Sequence, residues 1–235
     1  MSPNMNAYQL AVSALLQDLT PSASSDLALF HDLFYDRRPA IDTFVNLFPH
    51  AATRRQNFLI VGDAGVGKTS FVYSLLTAPD IVKDLSIEPV LVDYRTATPR
   101  SPTGCLLAFI DSMRKCFDNL GAPIHTLKDN VAANVDDNLY LIERHLVTVS
   151  PGLPRQITIF MDDFDYAEDV WYKLLDDFMP FAASPHAMVV MTMRPPLFRA
   201  IDTYDDRFSH YFTRTENDRI HPRCLVGLTK PFVSA

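Results

Sequence analysis

Three of the seven glycines in this 235-residue chain, Gly62, Gly65 and Gly67, fall within six residues of one another. Ordering a glycine loses more backbone entropy than ordering any other residue, so a cluster needs a reason. The run Gly62-Asp63-Ala64-Gly65-Val66-Gly67-Lys68-Thr69-Ser70 satisfies G-x-x-x-x-G-K-[ST]. At average residue frequencies this arises by accident in about 1% of chains this long. Such glycines let the backbone curl so that successive N–H groups point inward at phosphate oxygens, while the start of the following helix adds partial positive charge. Lys68 is placed to reach the outer phosphates, and the Thr69 hydroxyl to ligate Mg2+. The chemistry expected of residues 62–70 is the cradling of a polyphosphate.

A cradle that cleaves phosphates needs a carboxylate at a neighbouring strand tip to steady the metal. Ile157-Thr158-Ile159-Phe160-Met161-Asp162-Asp163 supplies an apolar strand ending in two acids. That ending is poor for stability, because like charges repel at a desolvated edge, and a bound cation removes the penalty. Asp162 is accordingly assigned to Mg2+ and Asp163 to orienting or deprotonating the attacking water. Asp165 continues the cluster as a solvated or helix-capping residue. A third run, Met188-Val189-Val190-Met191-Thr192-Met193, ends in Arg194-Pro195. There Thr192 and Arg194 can act on the terminal phosphate or the water, where developing charge needs stabilisation.

These tips must be carried by elements, and the chain supplies them in alternation. Strands are expected at Phe58–Val61, Pro89–Asp93, Ile157–Met161, Met188–Met193 and Leu225–Leu228. Helices between them start near Lys68, Thr103, Asp137 and Glu168. Short apolar runs alternating with helical ones predict an α/β fold around a parallel sheet. The helix of about 103–120 buries Leu106, Phe109, Ile110, Met113 and Phe117, and Gly121-Ala122-Pro123 stops it. Val135, Leu139, Ile142, Leu146 and Val149 repeat at helical intervals. The aromatics Trp171 and Tyr172 read as core packing of the helix 168–179 rather than a stacking platform. Residues 1–50 read as a helical lead-in, with helices over Tyr8–Leu19 and around Leu27–Phe34, and a third opened by Pro39 and ended by Pro49. Residues 51–235 form the core.

Composition excludes several classes. Hydrophobic residues are 48% and charged residues 21% of the chain, ordinary for a globular protein with a core. No apolar run approaches the roughly 18 residues that span a bilayer. The first residues lack the basic and apolar regions of a secretory leader. With three scattered cysteines, Cys105, Cys116 and Cys224, there is no disulfide framework or zinc cluster, and the expected compartment is the cytoplasm. A net charge of −7 gives no general attraction for nucleic acid, which would need a local basic patch.

Taken together the motifs resemble those of an additional-strand P-loop ATPase, in the branch that holds AAA+ proteins and STAND ATPases. Phe34-Tyr35-Asp36-Arg37-Arg38-Pro39-Ala40-Ile41 is similar to the F-x-G-R-x-x-x-I lead-in, without its glycine. Residues 62–70 match Walker A, residues 157–163 the four-hydrophobic-plus-DD form of Walker B, and Val189–Arg194 the hydrophobic-T-x-R sensor strand. The resemblance covers about residues 34–230. It implies a three-layer P-loop NTPase with a five-stranded, mainly parallel sheet in the order 5-1-4-3-2, and ATP with Mg2+ as ligands. It further implies a switch ATPase whose nucleotide state is coupled to self-association or to a partner protein. The family's helical lid is absent from the expected elements, which leaves three expectations: the chain is a fragment, a partner or second copy closes the site, or nucleotide binds openly and weakly. Arg207, Arg214 and Arg219 are candidates for an arginine acting on a neighbour's site. Rival expectations are an ATP-dependent DNA-handling regulator of replication or transposition type, and a P-loop kinase using the arginines of 195–223. A GTP switch is set aside because the chain has no N-K-x-D motif.

Overall fold

A computed structural model describes residues 38–54, 57–64, 66–96, 101–167, 171–204 and 225–228. The chain forms two units, 1–39 and 40–235, and the second carries the sheet. The helices of the described residues are α1 (Arg38–Arg54), α2 (Lys68–Thr77), α3 (Pro79–Asp84), α4 (Pro102–Asn119), α5 (Val135–Val149), α6 (Trp171–Ala183) and α7 (Pro195–Tyr204). The strands are β1 (Phe58–Gly62), β2 (Ile87–Asp93), β3 (Gln156–Asp162), β4 (Ala187–Met193) and β5 (Leu225–Leu228). They pair in parallel in the order β2-β3-β4-β1-β5. The expected helices over 8–19 and 27–34, the lead-in at 34–37, and Arg207, Arg214 and Arg219 lie outside the described residues.

Strand alternation divides the core between the two faces of the sheet. Leu59, Val90, Val92, Ile157, Ile159, Met161, Val189 and Met191 share one cluster with buried side chains of α4, α5, α6 and α7. The opposite parity, Phe58, Ile60, Phe160 and Val190, is equally buried. On that side Phe44 of α1 lies 4.7 Å from Phe58 and 6.1 Å from Phe71 of α2, between ring centroids, and Phe48 stacks on Phe58 at 5.9 Å. Asn57, just ahead of β1, fastens the layers: its side chain donates to the Ala182 carbonyl at 2.8 Å and accepts from the Val189 N–H at 2.8 Å.

Local chemistry sets the boundaries. Ser101 caps α4 by accepting the Gly104 N–H at 3.1 Å. At its other end Gly121 takes φ +68 while the Gly121 and Ala122 N–H groups return to the Asp118 and Phe117 carbonyls, a left-handed close that favours glycine. Helices α3 and α7 were not expected. Both open on proline, which pre-sets helical φ at a first position and there lacks only an N–H the helix would leave unpaired. Nor does Pro49 end α1, which runs on to Arg54. Buried Phe44 and Phe48 hold the preceding turns to the core, and Ala51 and Ala52 favour continuation past the missing N–H.

Pro89 lies inside β2, an edge strand of the sheet. The Ser86 carbonyl accepts the Gln156 N–H at 2.8 Å, so by alternation the even-numbered residues of β2 bond toward β3 and Pro89 faces outward, where it breaks no ladder bond. Among the described residues no helix is long and apolar enough to cross a membrane. Phe58→Ala removes a fully buried ring between α1 and β1, with an expected loss of about 3–5 kcal/mol in urea unfolding.

Candidate functional site

The row of side chains at the carboxyl end of the sheet follows from register. Asp93 on β2 pairs with Asp162 on β3, Met161 with Met191, and Ile60 on β1 with Thr192 on β4. Parallel partners share a face, so Asp93, Asp162 and Thr192 stand side by side on the face that α2 covers.

The run 62–70 leaves β1 at Gly62 and enters α2 at Lys68. Gly67 precedes the helix with φ +90, and a Cβ there would meet nothing closer than 4.0 Å, so backbone conformation rather than space requires glycine. No side chain caps α2 and no acid occupies its first turn, which leaves that turn's N–H groups and partial positive charge for an anion. Lys68 is buried, and its Nζ donates to the carbonyls of Gly62 at 2.9 Å and Asp63 at 3.2 Å. Asp63 and Ala64 are exposed, Val66 is buried, and Thr69 and Ser70 are half-buried. Gly65 lies outside the described residues.

Across from this loop, Asp162 is fully buried. The Thr192 hydroxyl donates to its Oδ1 at 2.7 Å and accepts the Asp163 N–H at 2.8 Å, so one side chain positions both acids. Asp162 Oδ2 is buried with no hydrogen-bond partner among the described residues. Burial, then the Asp163 charge, pushes the Asp162 carboxyl up to about 6, against the Thr192 and Thr69 hydroxyls, which pull it down. An uncompensated carboxylate oxygen beside the Thr69 hydroxyl is the donor set a hard cation prefers, so Thr69 and Asp162 fit Mg2+.

Asp163 takes φ +54, a left-handed conformation that Asp tolerates better than most residues. The turn sets its carboxylate against Arg95, with Oδ2 3.1 Å from Nε. Arg95 also grips Asp93 through Nη2 at 2.7 Å and Nε at 3.0 Å. Asp93, Asp162 and Asp163 each bring a carboxylate oxygen within 4.8 Å of the others. Tyr73 of α2 is buried against this group, and its hydroxyl is pushed above its ordinary range, first by burial and then by the Asp93 charge.

Asp165 is not solvated. The 3-10 turn Phe164–Ala167 folds back over the tip of β4, so Asp165 is buried and accepts the Arg194 N–H at 2.7 Å, just ahead of α7. Arg194 also sets Nε 3.4 Å from Asp165 Oδ2, with its side chain partly exposed. Burial raises the Asp165 carboxyl, opposed by Arg194 and Lys68. The structure thus brings Lys68, Thr69, Asp162, Asp163, Thr192 and Arg194 to one end of the sheet. It adds Asp93, Arg95 and Tyr73, which the motif reading left without a role. The available signal was a second apolar strand, Val90-Leu91-Val92-Asp93, that also ends in an acid. Tyr172, expected in the core, is exposed, with Lys173 Nζ 5.9 Å over its ring.

No family model matches the chain, and no curated protein matches it in sequence.

The folded protein holds the Asp162 proton more tightly than the unfolded chain, whose carboxyl titrates near 4. Stability therefore falls as pH rises from about 4 through about 6. In metal-free buffer, Asp162→Asn is expected to remove about 1 kcal/mol of the wild-type loss between pH 5 and pH 7, read from urea unfolding at both values.

Proposed function

We propose that this chain is an ATP- and Mg2+-binding P-loop ATPase of the STAND/AAA+ type, acting as a nucleotide-controlled switch in a larger or self-associating assembly. The observation that carries the reading is the orphaned, buried Oδ2 of Asp162 on the strand end that faces the uncapped start of α2 and Thr69. A buried anionic oxygen with no donor is costly unless a cation completes it. The order β2-β3-β4-β1-β5, read from the other edge as 5-1-4-3-2, adds support, since the strand bearing Thr192 and Arg194 lies between those bearing the cradle and Asp162.

On this reading the chain's own groups divide the work. The N–H groups of residues 62–70 and the start of α2 bind the phosphates. Lys68 exchanges its two loop carbonyls for phosphate oxygens, trading neutral acceptors for charged ones. Thr69 and Asp162 hold Mg2+, which supplies charge neutralisation to the outer phosphates. Asp163 orients the attacking water and takes its proton. Thr192 fixes Asp162 and Asp163 relative to each other. Arg194, steadied by Asp165, supplies positive charge to the terminal phosphate as it departs.

Two variants separate binding from turnover. Lys68→Ala is expected to weaken binding of a fluorescent ATP analogue with Mg2+ about 10–100-fold, the worth of one charged hydrogen-bonding group. Asp163→Asn is expected to keep that affinity while lowering phosphate release about 100–10,000-fold. Analogue binding indifferent to Lys68 would end the nucleotide reading. Particle mass with and without ATP, for wild type and Lys68→Ala, tests the coupling to assembly: a larger ATP-bound species confined to wild type is expected.

A further inference from the structure

The Arg95 guanidinium lies where a cation at the acidic strand tips would be drawn. It contacts Asp93 Oδ2 at 2.7 Å and Asp163 Oδ2 at 3.1 Å. Those two acids and Asp162 bring oxygens within 4.8 Å of one another. An acidic cluster alone says little, because carboxylates often gather at exposed sites. Here a separate observation points to a ligand: Asp162, fully buried, keeps Oδ2 without a partner among the described residues.

We propose that Arg95, held by Asp93 and Asp163, is a resident counter-ion beside the cation seat of Asp93 and Asp162 in the nucleotide-free protein, so that a divalent metal loads there only when Arg95 is displaced. The inference rests on the reading of Asp162 as the metal-holding acid and adds two residues to it: Asp93 as a second carboxylate of the seat, and Arg95 as a positioning residue that gates it. A guanidinium and a divalent ion compete for the same oxygens, and one positive charge a few ångströms away opposes the arrival of two more. Exit is open to Arg95, whose side chain is 36% exposed against 7% for Asp93. Asp93 does not lose all support when the guanidinium leaves, because the Arg95 backbone N–H donates to its Oδ1 at 3.0 Å. The arrangement compensates Asp93 and Asp163 without metal, leaves Asp162 Oδ2 without a donor, and makes metal uptake depend on whatever draws Arg95 away, an incoming polyphosphate being a strong competitor for a guanidinium.

The test is Mn2+ binding to the full chain without nucleotide, read from the free-ion electron paramagnetic resonance signal. Arg95→Met is expected to bind one Mn2+ at least about tenfold more tightly than wild type, and Arg95→Lys to fall between them. Adding Asp93→Asn to Arg95→Met is expected to cancel the gain. Circular dichroism and urea midpoints on the same samples confirm that the variants fold, with Arg95→Lys the variant that keeps the charge. Equal Mn2+ affinity in wild type and Arg95→Met overturns the proposal, as does a gain that survives Asp93→Asn. A parallel titration with a fluorescent ATP analogue and Mg2+ distinguishes the two levels. If the analogue binds through Lys68 while Mn2+ uptake ignores Arg95, only the counter-ion role falls; if it fails to bind, the nucleotide reading falls and the gate with it.

Discussion

The site is organised by the three-centre contact at Thr192, whose hydroxyl gives its proton to Asp162 and receives the N–H of Asp163. One side chain on β4 thereby fixes the end of β3 in both position and direction. Asp163 can leave the strand in a left-handed turn only because its amide has somewhere to go when it departs from the ladder. The same contact supplies one oxygen of Asp162 and leaves the other exposed to the full penalty of burial. A hydroxyl placed there serves better than an apolar side chain would, since it satisfies two groups that water cannot reach.

Charge at this end of the molecule is otherwise compensated in pairs. Lys68 lies on the loop's own carbonyls, Arg194 on Asp165, and Arg95 on Asp93 and Asp163. Apart from the local Arg95–Asp93 pair, these join groups from different segments: the loop and its helix, the turn after β3 and the start of α7, the end of β2 and the end of β3. Lys68 is the least committed of them in chemical terms, because its acceptors are neutral carbonyls and a charged oxygen makes a stronger bond.

What could be read from the residues in order and what could not divide along a physical line. The turn from β1 into α2 at 62–70 was legible because its glycines and Lys68 are spaced within nine consecutive positions, and β3 because an apolar run ending in acids is costly without purpose. Strand positions followed from short apolar runs, so β2 and β3 begin only one or two residues before their expected starts. The contacts of Asp93 and Arg95 with the end of β3 were not legible, because they arise from β2 lying beside β3, and a strand's neighbours are decided by the whole sheet. Asp165 was misjudged for a similar reason: its burial comes from a turn folding over β4, a contact absent from its own surroundings in sequence. Proline misled in both directions, since one ring can open a helix, as at Pro79 and Pro195, or be carried inside one, as at Pro49.

Pro89 also carries weight beyond its own strand. Because its ring nitrogen faces away from β3, the outer margin of the sheet presents an interrupted series of donors and a bulky pyrrolidine where a foreign strand would seek to align. Growth of the sheet across that margin is blocked at its midpoint. Contacts made at this margin therefore rest on side chains rather than on a continued ladder, which leaves the acid-bearing tips of β2 and β3 free of a continuous intermolecular ribbon.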